Sequence, residues 1–86
     1  MKLRSERIEE RLKEIGQSKG WLHQELGISR QSFNQTLKRD NPSTSTIQKI
    51  ADKLQTNPID LIELEEGFEH VYSRGKWNGI KRVRNS

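Results

Sequence analysis

Apolar residues recur at helical spacing through most of the chain, in short runs separated by glycine, proline and serine. Two of these runs follow one another directly, the first with Leu22 and Leu26 and the second with Phe33 and Leu37. Each pair is four residues apart, about one helical turn. Gly27 stands between the runs, and glycine readily takes the left-handed conformation that ends a helix. The pattern predicts two short helices joined by a tight turn.

Serines stand where both helices of this pair would begin. Ser18 precedes the first and Ser29 the second, and a serine hydroxyl can accept a hydrogen bond from a free N–H group of the first helical turn. We therefore expect helices over residues 19–26 and 30–37, each with a serine N-cap.

Three further helices are predicted around this pair. Residues 5–15 have Ser5 as the expected N-cap, and residues 44–54 carry a stripe at the spacing i, i+3, i+4, i+7. A fifth helix should begin at Asn57 and Pro58, because asparagine caps well and proline suits the first helical position. The apolar stripes of the three helices are Ile8, Leu12 and Ile15, then Ile47, Ile50, Ala51 and Leu54, then Leu61, Ile62 and Leu64.

After Gly67 the pattern changes to alternation. Phe68, His70 and Tyr72 occupy every second position, and residues 73–75 offer a turn before the alternation resumes. This favours a two-stranded hairpin, which is marginal in water unless it rests on a surface or a second subunit. A disordered basic tail is the alternative, and residues 81–86 are expected to be loose in either case.

The helix over residues 30–37 has little to bury beyond Phe33 and Leu37. Its other side chains are long or polar, and they include Arg30, Gln31, Ser32, Asn34 and Gln35. A helix held along one narrow stripe, with hydrogen-bonding groups elsewhere, suits the donor and acceptor pattern of the DNA major groove. Solvated polar side chains are the alternative interpretation.

The segments Leu26-Gly27-Ile28-Ser29 and Asn41-Pro42-Ser43 carry a family resemblance. Over roughly residues 5–64 the chain resembles the lambda-repressor-like (Cro-type) helix-turn-helix DNA-binding domains of the XRE-type transcriptional regulators. The resemblance implies an all-α fold of five helices over residues 1–66, followed by a basic aromatic tail over residues 67–86. Two positions depart from the family pattern: a small residue is usual at His23, and an apolar one is common at Thr36.

The resemblance also implies a DNA-binding site. The N-terminal end of helix 30–37 would point into the major groove, which brings Arg30, Gln31 and Asn34 to the base edges. Arginine matches guanine O6 and N7, while glutamine and asparagine match adenine N6 and N7. Contacts to the DNA backbone are expected from Lys19, Ser29, Ser32, Gln35, Lys38, Arg39, Ser43 and Thr44.

Lys19 at a helix start is unfavourable for the helix dipole, which a phosphate contact would explain. A lysine present by chance on the surface would explain it equally well.

The family usually forms homodimers, and residues that could face a second subunit are Leu61, Leu64, Phe68 and Tyr72. For the two leucines, core packing is the competing account. The predicted function is a sequence-specific regulator, in the form of a repressor, that binds a near-palindromic operator as a homodimer. The alternative is an antitoxin-like or adaptor protein whose tail, residues 67–86, binds a protein partner; RNA binding is a weaker third option.

Composition supports a small domain with a thin core, since the chain has 86 residues, 29% hydrophobic and 33% charged. Basic and acidic residues balance over residues 1–66, so the net charge of +4 comes entirely from the tail. The tail holds Arg74, Lys76, Lys81, Arg82 and Arg84 against Glu69. Phosphate binding and a solvated basic terminus are both compatible with that excess.

Other chemistry has little support in the sequence. There is no cysteine, and the two histidines, His23 and His70, have no metal-ligand spacing. Without a phosphate loop or a nucleophile–base pair, we expect neither an enzyme nor a cofactor. No apolar run approaches the length of a membrane span and the charged start does not resemble a signal peptide, so a cytoplasmic protein is expected.

Overall fold

The computed structural model describes residues 2–83. Within that range the chain forms four α-helices, one short 3-10 helix and a two-stranded antiparallel sheet. The helices are α1 (Ser5–Glu14), α2 (Lys19–Glu25), α3 (Arg30–Lys38) and α4 (Thr44–Leu54), followed by the 3-10 helix Pro58–Leu61 and the strands β1 (Phe68–Ser73) and β2 (Lys76–Arg82). Residues 3–62 are called the helical body below. None of the helices in the described range is long and apolar enough to cross a membrane.

Serine caps set the starts of α2, α3 and α4. The hydroxyls of Ser18, Ser29 and Ser43 each accept a hydrogen bond from the backbone N–H three residues later, at 3.1, 3.1 and 3.2 Å. The predicted caps of α2 and α3 are therefore confirmed, and the helices begin where the sequence places them. Since each cap is a local bond, it does not depend on the rest of the fold.

The predicted cap of α1 is wrong. Ser5 is the first helical residue, and Arg4 holds the cap position without a capping bond from its side chain. The Arg4 N–H instead donates to the Leu61 carbonyl at 2.7 Å. This bond between distant segments holds Arg4 in an extended conformation, so the helix can begin only after it.

The predicted fifth α-helix is also wrong. Asn57 does cap the segment, accepting a bond from the Ile59 N–H at 2.9 Å, but the result is the four-residue 3-10 helix Pro58–Leu61. Ile62 is already extended and forms an antiparallel bridge with Leu3. Pairing with the N-terminal segment therefore takes the residues that a longer helix would need.

The core lies between the helices and is built from eleven buried apolar residues in the described range. Leu61 belongs to it with no exposed surface, so the expectation that Leu61 faces a second subunit is corrected in favour of core packing. Leu64 is half-buried, while Phe68 and Tyr72 are exposed. The members of the core are Leu3, Ile8, Leu12, Leu22, Phe33, Leu37, Ile47, Ile50, Ala51, Leu54 and Leu61.

The hairpin predicted for the tail is confirmed. β1 and β2 pair antiparallel and meet at Arg74 and Gly75, whose φ angles are +53° and +78°. Positive φ at both central residues is the mark of a type I′ turn, whose twist matches that of the flanking strands. Lys81 and Arg82, expected to be loose, lie in β2; residues 84–86, Arg84 among them, lie outside the described residues.

Two side chains of β1 attach the hairpin to the helical body. His70 Nε2 lies 2.9 Å from the Ile62 carbonyl, and Trp77 Nε1 donates to His70 Nδ1 at 2.9 Å. Because indole N–H can only donate, Nδ1 is the unprotonated nitrogen and Nε2 donates to the carbonyl. Tyr72 adds a second link, donating its hydroxyl to Asp60 Oδ1 at 2.6 Å.

Asp60 is the centre of a buried polar cluster formed by Arg4, Arg7, Thr56, Asp60 and Tyr72. Arg7 Nη2 lies 2.9 Å from Asp60 Oδ2, with only 4% and 0% of the two side chains exposed. Thr56 donates to the same carboxylate at 2.8 Å, and the Arg7 guanidinium lies 4.8 Å from the Tyr72 ring centroid. In the described structure, no buried side-chain nitrogen or oxygen lacks a partner.

The pKa values in this cluster favour the charged pair. Burial alone would raise the pKa of Asp60, but hydrogen bonds from Arg7, Tyr72 and Thr56 outweigh it and lower the pKa. Burial would likewise lower the pKa of Arg7, yet the bond to Asp60 and its charge raise it. Burial and the bond to Asp60 raise the pKa of Tyr72 against the opposing effect of Arg4. The hydroxyl therefore stays protonated and donates to Asp60.

Candidate nucleic-acid interface

The turn between α2 and α3 is closed by bonds across it. Gly27 has φ +70°, as the sequence predicts for a residue that ends a helix. The Ile28 N–H donates to the His23 carbonyl at 3.1 Å, and His23 Nδ1 lies 3.1 Å from the Ile28 carbonyl. A carbonyl only accepts, so Nδ1 is the protonated nitrogen. His23, which departs from the family pattern, thus closes the turn with a side-chain bond that the sequence did not reveal.

α3 buries one side and exposes the other. Phe33 and Leu37 are 1% and 6% exposed and anchor the helix in the core. The other side carries five exposed side chains that surround one shallow depression: Arg30, Gln31, Asn34, Gln35 and Lys38. These five residues are called the recognition face below. All three side chains predicted to contact bases lie on it.

In the described part of the chain, the cations on and beside the recognition face form no ion pair with an acidic residue. From Leu26 to Arg39 the sequence has no acidic residue. Within residues 2–83, Arg30, Lys38 and Arg39 form no ion pair, whereas Arg7 and Arg11 are both bonded to carboxylates. Three unpaired cations beside uncharged amides make a surface that can accept a polyanion without first breaking bonds.

The family comparison agrees with this geometry. Residues 7–67 match a family described as a Cro/C1-type helix-turn-helix DNA-binding domain. The chain belongs to this family. No curated protein and no solved structure matched the chain. The match includes α2 and α3 and ends directly before the hairpin. The matched part of the chain is therefore a DNA-binding domain of the helix-turn-helix type.

Pairs of bonded hydroxyls stand at the starts of α3 and α4 in the Cro/C1-type domain. Ser29 donates to the Ser32 hydroxyl at 3.0 Å, so Ser32 keeps its own proton for another acceptor. Ser43 and Thr46 repeat the arrangement at the start of α4, with hydroxyls 2.8 Å apart. Ser29, Ser32 and Ser43 are exposed, and so is Thr44. Their positions leave the predicted backbone contacts open to a phosphate.

Lys19 has a partner that the sequence did not reveal. Its Nζ lies 2.6 Å from Glu9 Oε1, and the hydrogen bond from Lys19 lowers the pKa of Glu9. The pair joins the start of α2 to α1, which explains a lysine at this position without a phosphate. Lys19 also lines the groove between α2 and α3 together with Arg30 and Asn34. Contact of Lys19 with the DNA backbone stays a prediction.

Thr36, the second departure from the family pattern, has a local role. Its hydroxyl donates to the Ser32 carbonyl at 2.9 Å within α3, and the residue is half-buried. This hydroxyl is therefore used inside the helix and is not part of the recognition face. In residues 2–83 there is also no group of three histidine, aspartate or glutamate side chains that could hold a metal ion.

Proposed function

We propose that this Cro/C1-type protein is a transcriptional repressor that binds a near-palindromic operator as a homodimer. The observation that carries the proposal is the recognition face, five exposed side chains on one side of α3. Two of the five are cations that form no ion pair in residues 2–83. The segment from Leu26 to Arg39 contains no acidic residue. The opposite side of α3 is anchored in the core by Phe33 and Leu37. This orientation leaves the polar side chains of α3 available to the groove of a duplex.

Base reading is assigned to Arg30, Gln31 and Asn34. Arg30 stands at the first position of α3, and its exposed guanidinium can form two parallel bonds to guanine. Gln31 and Asn34 follow at successive positions around the same face, and their amides can pair with adenine. Each such two-bond contact discriminates against a wrong base by about 1–3 kcal/mol.

Backbone contacts are assigned to the residues that flank this face. Lys38 and Arg39 leave the end of α3 with no ion pair in the described structure, and Gln35 lies beside Lys38 on the recognition face. Ser32, Ser43 and Thr44 have exposed hydroxyls near the helix starts. Ser29 would exchange its bond to Ser32 for a phosphate, and Lys19 would exchange Glu9 for one. Such contacts fix the position of the protein on the duplex but read no sequence.

A dimer is proposed because one recognition helix contacts too few base pairs to define a site. α3 has nine residues, so it is about 13 Å long and can follow only about four base pairs. Four base pairs recur too often in a genome to define a site. Two copies related by a two-fold axis would place their helices in successive major grooves about 34 Å apart, which doubles the length of sequence read. Occupation of such a site within a promoter obstructs transcription, hence a repressor.

Selection of bound duplexes from a random pool tests the proposal directly. The expected result is a motif with two inverted half-sites whose centres are about one helical turn, or a multiple of it, apart. A single half-site without an inverted repeat would remove the dimer from the proposal and leave base reading. Recovery of no motif at all, with binding that depends only on salt, would overturn sequence-specific regulation.

A further inference from the structure

Both edges of the hairpin lack a strand partner in the described structure. The sheet consists of β1 and β2 alone. Besides the bonds between the strands, the backbone bonds that reach the hairpin in residues 2–83 lie at its open end, from Phe68 N–H to the Glu65 carbonyl and from Val83 N–H to the Gly67 carbonyl. Apart from the Phe68 N–H, the outward N–H and C=O groups of both strands therefore have no backbone partner in this range. Such an edge is a template for another strand.

The two edges differ in charge. β2 carries three cations, Lys76, Lys81 and Arg82, whereas the only charged residue of β1 is Glu69. Lysine and arginine on an edge strand oppose pairing with a like strand, because equal charges would face each other across the new ladder. The β2 edge is protected in this way and the β1 edge is not.

The two edges also differ in regularity. Val71 pairs with Gly79 but Tyr72 pairs with Trp77, so Asn78 is an extra residue that makes a bulge in β2. A bulge bends and twists its strand, which interrupts the ladder that a second strand would need. β1 is continuous over its six residues. β2 thus has both devices that keep edge strands apart, and β1 has neither.

Apolar surface is concentrated on the same hairpin. The large apolar side chains that stay exposed in residues 2–83 are Ile59, Phe68, Tyr72 and Ile80, three of them in the hairpin. Phe68 and Ile80 are each 44% exposed. Ile80 is paired with His70, two positions from Phe68, so both apolar side chains lie on one face of the sheet. Exposed apolar surface beside an open edge marks an interaction surface.

We propose that β1 pairs antiparallel with β1 of a second copy of this chain, giving a four-stranded sheet in the order β2-β1-β1-β2. This rests on the homodimer of the proposed function and assigns its interface. Two-fold symmetry requires a residue to face its own copy, and pairing centred on His70 or Val71 fits the strand. In either register Glu69 lies opposite an uncharged residue of the second copy, Val71 or Ser73, so no like charges meet.

The geometry of this pairing suits two recognition helices. The two-fold axis of an antiparallel pair of identical strands is perpendicular to the sheet, so equivalent faces stay on the same side. His70 and Tyr72 both contact the helical body from one face of the hairpin. Both bodies therefore lie on the same side of the four-stranded sheet, an arrangement compatible with binding to one duplex. A pairing of two basic β2 strands would have to overcome charge repulsion and the bulge.

A matched pair of variants tests the interface through the mass of the full chain in sedimentation equilibrium. The wild type is expected at about twice its 10.1 kDa chain mass. Val71→Lys puts a cation on the open edge, near the symmetry axis, and should halve that mass. Asn78→Lys adds the same charge to β2 and should leave the dimer intact. The NMR resonance of the Trp77 indole N–H, which donates to His70, checks that the hairpins of both variants still fold.

Hydrogen exchange identifies the strand. Raising the protein concentration should slow exchange of the outward amides of β1 and leave the outward amides of β2 unchanged. A wild type that stays monomeric up to its solubility limit overturns the inference, and so does a dimer that Val71→Lys leaves intact. Protection of β2 instead of β1, or a different protein seated on β1 in place of a second copy, overturns it as well.

The same variants separate this inference from the proposed function. A monomeric wild type that still selects a defined half-site would refute the β1 interface and leave base reading by α3 standing. A β1-paired dimer that selects no sequence would do the reverse. Arg30→Ala should lose sequence selectivity and remain a dimer, because Arg30 lies in α3 rather than in the hairpin.

Discussion

Two groups of charged side chains in this small protein have opposite arrangements. Arg7 and Asp60 lie in the buried polar cluster, 4% and 0% exposed, with every hydrogen-bonding group partnered. Arg30 and Lys38 lie on the recognition face, exposed and without an ion pair in the described structure. Residue type is therefore a poor guide to role here. An arginine whose bonds are satisfied inside the protein stabilises it, whereas an arginine without an acidic partner is available to a ligand.

Asp60→Ala tests most directly whether the buried ion pair stabilises the fold. It leaves the buried Arg7 guanidinium without its carboxylate, which should lower the free energy of unfolding by about 3–5 kcal/mol. Urea unfolding followed by circular dichroism measures the change. Asp52→Ala, which removes an exposed aspartate from α4, is the matched control and should have little effect. A small loss for Asp60→Ala would show that the cluster does not stabilise the fold.

Substitutions on the recognition face should change DNA binding rather than the stability of the fold. Arg30→Ala combined with Gln31→Ala should remove about 1–3 kcal/mol of base discrimination for each base that is no longer read, while the unfolding free energy stays near the wild-type value. Competition between the selected duplex and a scrambled one measures the discrimination. Arg82→Ala, which removes an exposed arginine from β2, is the control and should keep the preference. Unchanged preference in the double variant would show that α3 is not the reader.

Local chemistry explains why the sequence predicts α3 so well. Its cap at Ser29 and its anchors Phe33 and Leu37 are all set by residues within one or two turns of each other. The buried polar cluster depends on Arg7 meeting Asp60, which lies 53 positions away along the chain. The apolar stripe of α1, Ile8, Leu12 and Ile15, does not include Arg7. No periodicity reveals such a pair.

The same distinction accounts for the two wrong boundaries. Ser5 is displaced as a cap, and the fifth helix stops at Leu61, because the residues before α1 pair with the residues after the 3-10 helix. Leu61 follows its apolar pattern into the core, although the resemblance also offered it a place at a dimer interface. Local signals give elements and their faces. Contacts between the two ends of the domain decide where elements stop.

Acid should weaken the buried polar cluster selectively. Burial would raise the pKa of Asp60, but the bonds from Arg7 and Tyr72 overcome it and lower the pKa in the folded state. The unfolded chain therefore binds the proton more readily, so the stabilisation is present above the unfolded aspartate pKa of about 3.9. It is lost as the pH falls through the lower folded value. Urea unfolding between neutral pH and about pH 3 should show this loss, and Asp60→Asn should show a flatter dependence.

Lys38 and Arg39 are predicted to contact the phosphates of the DNA backbone rather than the bases. Lys38→Ala and Arg39→Ala should weaken binding to every duplex alike and leave sequence preference unchanged. The plot of log affinity against log salt should flatten by about 0.9 for each phosphate that is no longer neutralised. Fluorescence anisotropy over a salt series measures both quantities. A change in preference without a change in slope would place these cations at the bases instead of the backbone.

The ion pair between Lys19 and Glu9 is an intermediate case, because its lysine is exposed like Arg30 but has an acidic partner like Arg7. If the cation can leave its partner for a phosphate, Glu9→Gln should raise the affinity for any duplex by about twofold to fivefold at low salt, because Lys19 no longer has to leave a carboxylate. Glu65→Gln removes the same charge from an exposed residue outside the helices and controls for general repulsion. Equal increases in the two variants would mean that Lys19 gives no specific phosphate contact. A larger increase for Glu9→Gln would show that an exposed ion pair only masks a binding cation, whereas the buried one commits its arginine to the fold.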